Sequence, residues 1–201
     1  MNSLATKRES MTDTPPAGFQ ETGFTIEPMA AKAGSYQLEM FGFLSPGWSG
    51  RLAAGLAEHR VSIIRGTAEK INASSWRSHF ELKAAPFAGN PQGIDFLQLA
   101  NTEPHHKAAG IELLAFTMEP AGRHDGSLFI EVKGVDRLGF LGDLLDYFSM
   151  RCLFPVKMSV DTLGDTAIDR FWLRGVGGSV PSDAITDSIK GSLEQLLVAR
   201  S

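Results

Sequence analysis

Phe24-Thr25-Ile26-Glu27-Pro28 returns as Phe116-Thr117-Met118-Glu119-Pro120, and this echo decides how the rest of the chain is read. At the same offset of 92 residues Gly34-Ser35 meets Gly126-Ser127, and Glu39, Gly42, Gly47, Gly50 and Leu52 meet Glu131, Gly134, Gly139, Gly142 and Leu144. After a shift of one residue, Phe80 and Leu82 fall on Phe171 and Leu173. A fixed internal period is the mark of a duplicated structural unit, so two copies of one unit are the simplest account.

The second copy is the easier to parse. Ser127 to Val135 alternates apolar and polar residues, with Leu128, Ile130 and Val132 on one face, the period of a half-buried strand. Asp136-Arg137-Leu138-Gly139 turns into a segment in which Phe140, Leu141, Leu144, Leu145 and Phe148 form a helical apolar stripe, and Pro155 bars that helix from continuing. Val156 to Leu163 and Thr166 to Arg174 read as strands joined at Gly164-Asp165, a tight-turn pair. After the loop Gly175 to Pro181, Ser182 or Asp183 caps a helix with Ile185, Ile189, Leu193 and Leu196 on one face. The first copy fits the same plan with strands Tyr36–Phe43, Val61–Ile71 and Ser75–Ala84, helices Gly47–Glu58 and Gly93–Thr102, and a further strand Ile111–Met118.

The order predicts an α+β fold of two ferredoxin-like βαββαβ domains in tandem, each an antiparallel sheet with its helices on one face. The expected divisions are a disordered tail over 1–22, a first domain over 23–121 that includes a leading strand at 23–29, and a second over 122–201. On this division the second domain lacks a fourth strand beside Ser127–Val132. Residues 23 to 29 are expected to pair there antiparallel, in this chain or a swapped neighbour, because an uncovered edge is a liability.

Composition excludes several function classes. Hydrophobic residues make up 43% and charged residues 21%, an ordinary globular balance. Acidic side chains outnumber basic ones, 23 to 19, and no run of Lys and Arg forms a stripe for phosphates, so no direct nucleic-acid partner is expected. The first 23 residues hold no apolar signal-peptide core and no later run is long enough to span a membrane, so a cytoplasmic protein without a membrane partner is expected. Cys152 is the single cysteine and is read as a buried, inert thiol. His105-His106 are adjacent and rarely converge on one ion, so no metal is expected, and Gly175-Val176-Gly177-Gly178 misses the third glycine of a dinucleotide loop, leaving no cofactor. There is no elbow serine, phosphate loop or zinc spacing, so no catalytic residue is assigned and no enzyme is expected. His79 with a neighbouring carboxylate is the one acid–base pair left open.

Val132 to Leu141, with Asp136-Arg137-Leu138-Gly139-Phe140-Leu141 at its turn, resembles the first strand and Asp-Arg-Pro-Gly-Leu-Leu turn of the ACT domain, an amino-acid-sensing module. Thr162 to Phe171 is similar to a hairpin in the ACT domains of bacterial uridylyltransferases, and the two-unit layout resembles the two-ACT transcriptional repressors of the glycine cleavage system. The resemblance is close over 126–201 and reaches 35–121 mainly through the repeat. It implies an amino acid or similar small anion bound where backbone N–H groups of the turn meet a helix N-terminus, completed by a polar residue just before the second strand. Neither copy is complete: Ser62-Ile63 supplies the polar-then-aliphatic pair in the first, where the second has Phe154, and Ser45-Pro46-Gly47 is the first copy's reduced turn. The resemblance thus points to an asymmetric ligand site of Asp136, Arg137, Leu138, Gly139, Phe140 and Leu141 with Ser62 and Ile63. Ser45 and Gly47 stand at its counterpart. Beside this stands a plainer reading in which Asp136 and Arg137 pair on a solvated turn, the glycines serve the backbone, and Trp48 and Phe140 anchor their helices. The implied function is a ligand-responsive regulator of a partner protein in amino-acid or nitrogen metabolism, with a homodimer expected. The alternative is a ligand-free dimerisation or docking module, which Phe154 favours.

Overall fold

The computed structural model describes residues 21–73, 75–104 and 110–198. The tail up to residue 20 and His105-His106 lie outside the described residues. The elements are β1 (Gly23–Pro28), β2 (Ser35–Phe43), α1 (Trp48–Glu58), β3 (Val61–Lys70), β4 (Ser75–Ala84), α2 (Phe96–Asn101), β5 (Leu113–Glu119), β6 (Leu128–Val135), α3 (Phe140–Ser149), β7 (Phe154–Leu163), β8 (Thr166–Arg174) and α4 (Asp183–Glu194). The fold is α+β. Among the described residues, one antiparallel sheet of eight strands runs β1-β2-β4-β3-β7-β8-β6-β5, with four helices.

Alternation along the strands sets the layers. Leu38 and Met40 of β2, Phe80 and Leu82 of β4, Ile130 and Val132 of β6, and Phe171 and Leu173 of β8 are fully buried and join Trp48, Leu52, Phe140, Leu144, Phe148, Ile189 and Leu193 of the helices in one core. The opposite face carries residues of the other phase, such as Glu39, Arg77, His79, Arg65 and Lys157, which remain in water. α2 is capped by Asp95, whose carboxylate accepts from the Gln98 N–H at 2.9 Å. It is shorter than the expected Gly93–Thr102, because Pro91–Gly93 forms a separate 3-10 turn. β7 starts at Phe154 and so takes in Pro155, which lacks a ladder N–H, and the register shifts between Pro155 and Lys157.

The edge strands correct the expected pairing. β1 lies antiparallel to β2, Phe24 opposite Met40, and β5 lies antiparallel to β6, Phe116 opposite Val132. Residues 23 to 29 therefore do not reach Ser127–Val132. The strand assigned to the end of the first unit opens the second half, so each half begins with its own edge strand. Each of these pairings closes a short local loop, which costs less chain entropy than a contact spanning about a hundred residues.

The two halves meet where β3 pairs with β7, and Thr67 stands opposite Ser159, its own counterpart at the 92-residue offset. The neighbouring ion pairs are copies of each other under the same relation: Arg65–Asp161 at 2.9 Å and Lys157–Glu69 at 3.6 Å. Above the seam α1 packs on α3 through small residues. A Cβ added to Gly142 would stand 3.1 Å from the Ala54 backbone nitrogen, and one on Gly50 would stand 3.4 Å from the Leu145 Cβ. Cys152, expected to be buried, is exposed at the end of α3 in a backbone conformation with φ 57°. The helix ends at Ser149, and Leu153 takes the buried place. Among the described residues no helix is long and apolar enough to cross a membrane.

Candidate functional site

Each half contains one strand-to-helix turn, and each turn faces the start of the other half's strand across the seam. Gly47 and Gly139 precede α1 and α3 with φ of 79° and 86°, a region open to glycine but costly for residues with a Cβ. The Trp48 N–H donates to the Ser45 carbonyl and the Phe140 N–H to the Arg137 carbonyl, both at 3.0 Å. Among the described residues no side chain caps either helix, so the next N–H groups of the first turn are left for water or a ligand.

At the second turn, Asp136, Arg137, Gly139, Phe140 and Leu141 come together with Ser62 and Ile63 around one cavity, while Leu138 lies outside its lining. The cavity holds only about 30 Å³, the room of a single water molecule. Arg137 is consumed within the turn: its guanidinium donates to the Asp143 carboxylate and the Gly110 carbonyl, and to the Leu138 carbonyl at 3.3 Å. The expected pairing of Arg137 with Asp136 on a solvated turn is thereby corrected: the partner of the guanidinium is the buried Asp143 carboxylate. Asp169, which sequence reasoning missed, enters the same cavity from β8. It sits in the inward phase of an otherwise apolar strand, between Ala167 and Phe171, and that break in the alternation was its signal. Only 3% of it is exposed. Burial, and then the neighbouring charge of Asp136, pushes its carboxyl up to about 7. Burial also raises Asp136, against the pull of a hydrogen bond from the Arg137 backbone. This end is tight and acidic.

At the first turn the same backbone frame is open. A cavity of about 410 Å³ lies between Leu44, Pro46, Gly47 and Trp48 and, from the other half, Phe154, Pro155 and Val156. Trp76 and Phe43 extend its apolar wall, and Trp48 packs edge-on against Trp76 with ring centroids 5.5 Å apart. The loop Gly175–Gly178 closes one side, held by Arg174, which donates to the Ser127 hydroxyl at 3.1 Å, the Gly178 carbonyl at 3.3 Å and the Asp125 carbonyl. Lys70 is the other cation in the lining; it is exposed and makes no ion pair among the described residues. Ser45 does not line this cavity. Its hydroxyl accepts from Arg51 at 2.7 Å and donates to the Asn101 side chain at 3.1 Å. A polar groove of about 410 Å³ lies on the helix side of the same turn, lined by Arg51, Glu103, Asp143 and Asp146, and shares Pro46, Gly47, Phe154 and Pro155 with the apolar cavity. Phe43, Lys70 and Trp76 carried no motif in the sequence, because only the sheet order brings the ends of β2, β3 and β4 to this turn.

The acid–base pair left open by the sequence is present on the water-facing side of the sheet: His79 Nδ1 lies 3.2 Å from the Glu39 carboxylate, both side chains about half exposed. Among the described residues no cluster of three metal-ligating side chains occurs. The chain matches no family model, and no curated protein or solved structure matches it.

Proposed function

We propose that the protein is a ligand-responsive regulatory module of two ACT-type, ferredoxin-like units, binding an amino acid or similar small anion between them and modulating a partner protein in amino-acid or nitrogen metabolism. One observation carries this reading. Two equivalent turns, each with a left-handed glycine and an uncapped helix start, face the opposite half across the seam, so a ligand held at such a turn, where there is room for one, touches both halves at once. The split order of each half of the sheet, with the edge strand beside the first long strand, supports the ACT assignment. A ligand that fits one packing of α1 on α3 better than another shifts that packing by its differential affinity, a coupling of about 1–3 kcal/mol. The protein acts on its partner through that packing rather than through chemistry of its own.

The test is a calorimetric and thermal-shift screen of the twenty amino acids and small carboxylates against the full chain. A ligand that binds only the folded state raises the melting temperature once its concentration exceeds its dissociation constant. Absence of any binding at millimolar concentration sinks the sensing part of the proposal. The alternative, a ligand-free dimerisation or docking module, draws on the closed state of the Asp136 end, and it is what such a negative screen would leave standing.

A further inference from the structure

The two ends of the seam differ in a way that selects the chemistry of a ligand. The open cavity has the size of an ordinary small-molecule pocket, and aromatic or aliphatic side chains form most of its wall. Among its described lining residues none is acidic. An ammonium group carried into it would lose water and find no carboxylate, a cost that buried cations escape only by pairing. The acidic side chains of this region, Glu103, Asp143 and Asp146, belong to the helix-side groove beyond Pro46, Gly47, Phe154 and Pro155. A single negative charge is provided for. Lys70 has no ion pair among the described residues, and α1 begins at the cavity with no acidic residue in its first turn, so its dipole favours an anion; α3, at the closed end, carries Asp143 there. Arg174 is spent on the Ser127 hydroxyl and the Asp125 and Gly178 carbonyls and serves as a wall.

We propose that the cavity at the Leu44–Trp48 turn binds an apolar monocarboxylic acid without an ammonium group, its aromatic or branched body against Trp76 and Phe43 and its carboxylate at Lys70. The inference rests on the reading of the seam as a small-molecule site and narrows it. It moves the occupied end from the Asp136 turn to the Leu44 turn, and the ligand from a zwitterion to a monoanion.

Three probes on one carbon skeleton test it with the full chain: 3-phenylpropionate, phenylalanine and 2-phenylethylamine. Two of the three tryptophans of the chain, Trp48 and Trp76, line the cavity, so intrinsic fluorescence and calorimetry report occupancy together. The expected order is phenylpropionate bound, phenylalanine at least about tenfold weaker, and the amine unbound. Lys70→Ala weakens phenylpropionate by about tenfold at unchanged melting temperature, while Lys157→Ala, a cation on the opposite face, leaves binding as it was. Phenylalanine binding as tightly as phenylpropionate, or binding indifferent to Lys70→Ala, overturns the inference. If none of the three probes binds while some amino acid in the wider screen does, the inference fails and the seam reading stands. If the wider screen is also empty, both fall.

Discussion

The Asp136 turn and the Leu44 turn share a backbone plan and an αL glycine, yet one encloses about 30 Å³ and the other about 410 Å³. What differs is where the charges sit. In the second turn Arg137 bonds forward to Asp143 of α3, whereas in the first the cation comes from the helix, and Arg51 bonds back to Ser45, the Pro46 carbonyl and the Ala100 carbonyl. Below the turns, the closed end has Ala167 and Asp169 where the open end has Trp76 and Ser78. The lesson is that duplication transmits the frame, while a few side chains at equivalent places decide whether that frame is filled, charged or hollow.

Substitutions at equivalent positions sharpen this comparison. The largest effect is expected for Arg137→Ala, which removes a charged hydrogen-bond partner of the Asp143 side chain, itself only 3% exposed; a loss of about 3 kcal/mol in denaturant unfolding is expected. Arg51→Ala, its counterpart in role, faces neutral acceptors and the exposed Glu103, and should cost about 1 kcal/mol. Equal losses would show that the two turns are braced alike. Next in size is Gly142→Ala, whose new methyl meets Ala54 backbone at 3.1 Å and forces α1 from α3, for a loss of about 2 kcal/mol. Gly50→Ala, the repeat-related change, meets only the Leu145 side chain at 3.4 Å and should be neutral or slightly stabilising.

The closed end also makes a pH prediction. Asp169 holds its proton more tightly in the folded chain, with its carboxyl at about 7, than in the unfolded chain, where about 4 is usual. Its contribution to stability is therefore complete below pH 4 and is lost as pH rises through 7. Asp169→Asn stays neutral, so the variant should melt roughly 4 °C above the parent at pH 8, and the gap should shrink toward pH 5. A gap that widens on acidification would show that the carboxylate, not the acid, is the form the fold prefers. The smallest effect belongs to the seam. Arg65→Ala and Lys157→Ala, which break the two repeat-related surface ion pairs, should each leave the melting temperature all but unchanged, because exposed pairs are screened by water. A larger loss from either would mean that the surface charges, and not the ladder and the α1–α3 contact, join the halves.

Much of the architecture could be read from residues alone. The alternation of Leu128, Ile130 and Val132, the stripe from Phe140 to Phe148 and the Gly164-Asp165 turn are local signals, because backbone period and turn chemistry are properties of neighbours in sequence. The candidate site was half legible. The glycine turn and the start of β3 at Ser62 could be placed from the sequence, and both line the small cavity. Lys70 and Trp76 carried no signal, since each is an ordinary strand residue whose importance comes from what lies across from it, and Asp169 showed only as a carboxylate in the apolar phase of its strand.

The sequence by itself determined the duplication, the element types and the two turns, through periodicity and the conformational freedom of Gly47 and Gly139. Only the tertiary structure decided which strand covers which edge, that β3 and β7 fuse the halves into one sheet, and that the conspicuous turn is closed while its plainer copy is open. The physical reason is the same in each case. Strand pairing and cavity volume depend on which surfaces meet, and a residue's own neighbours in sequence do not specify that; Asp136 and Leu44 differ in charge at the same step of the repeat, but the space beside each is set by Asp169 or Trp76 from another strand.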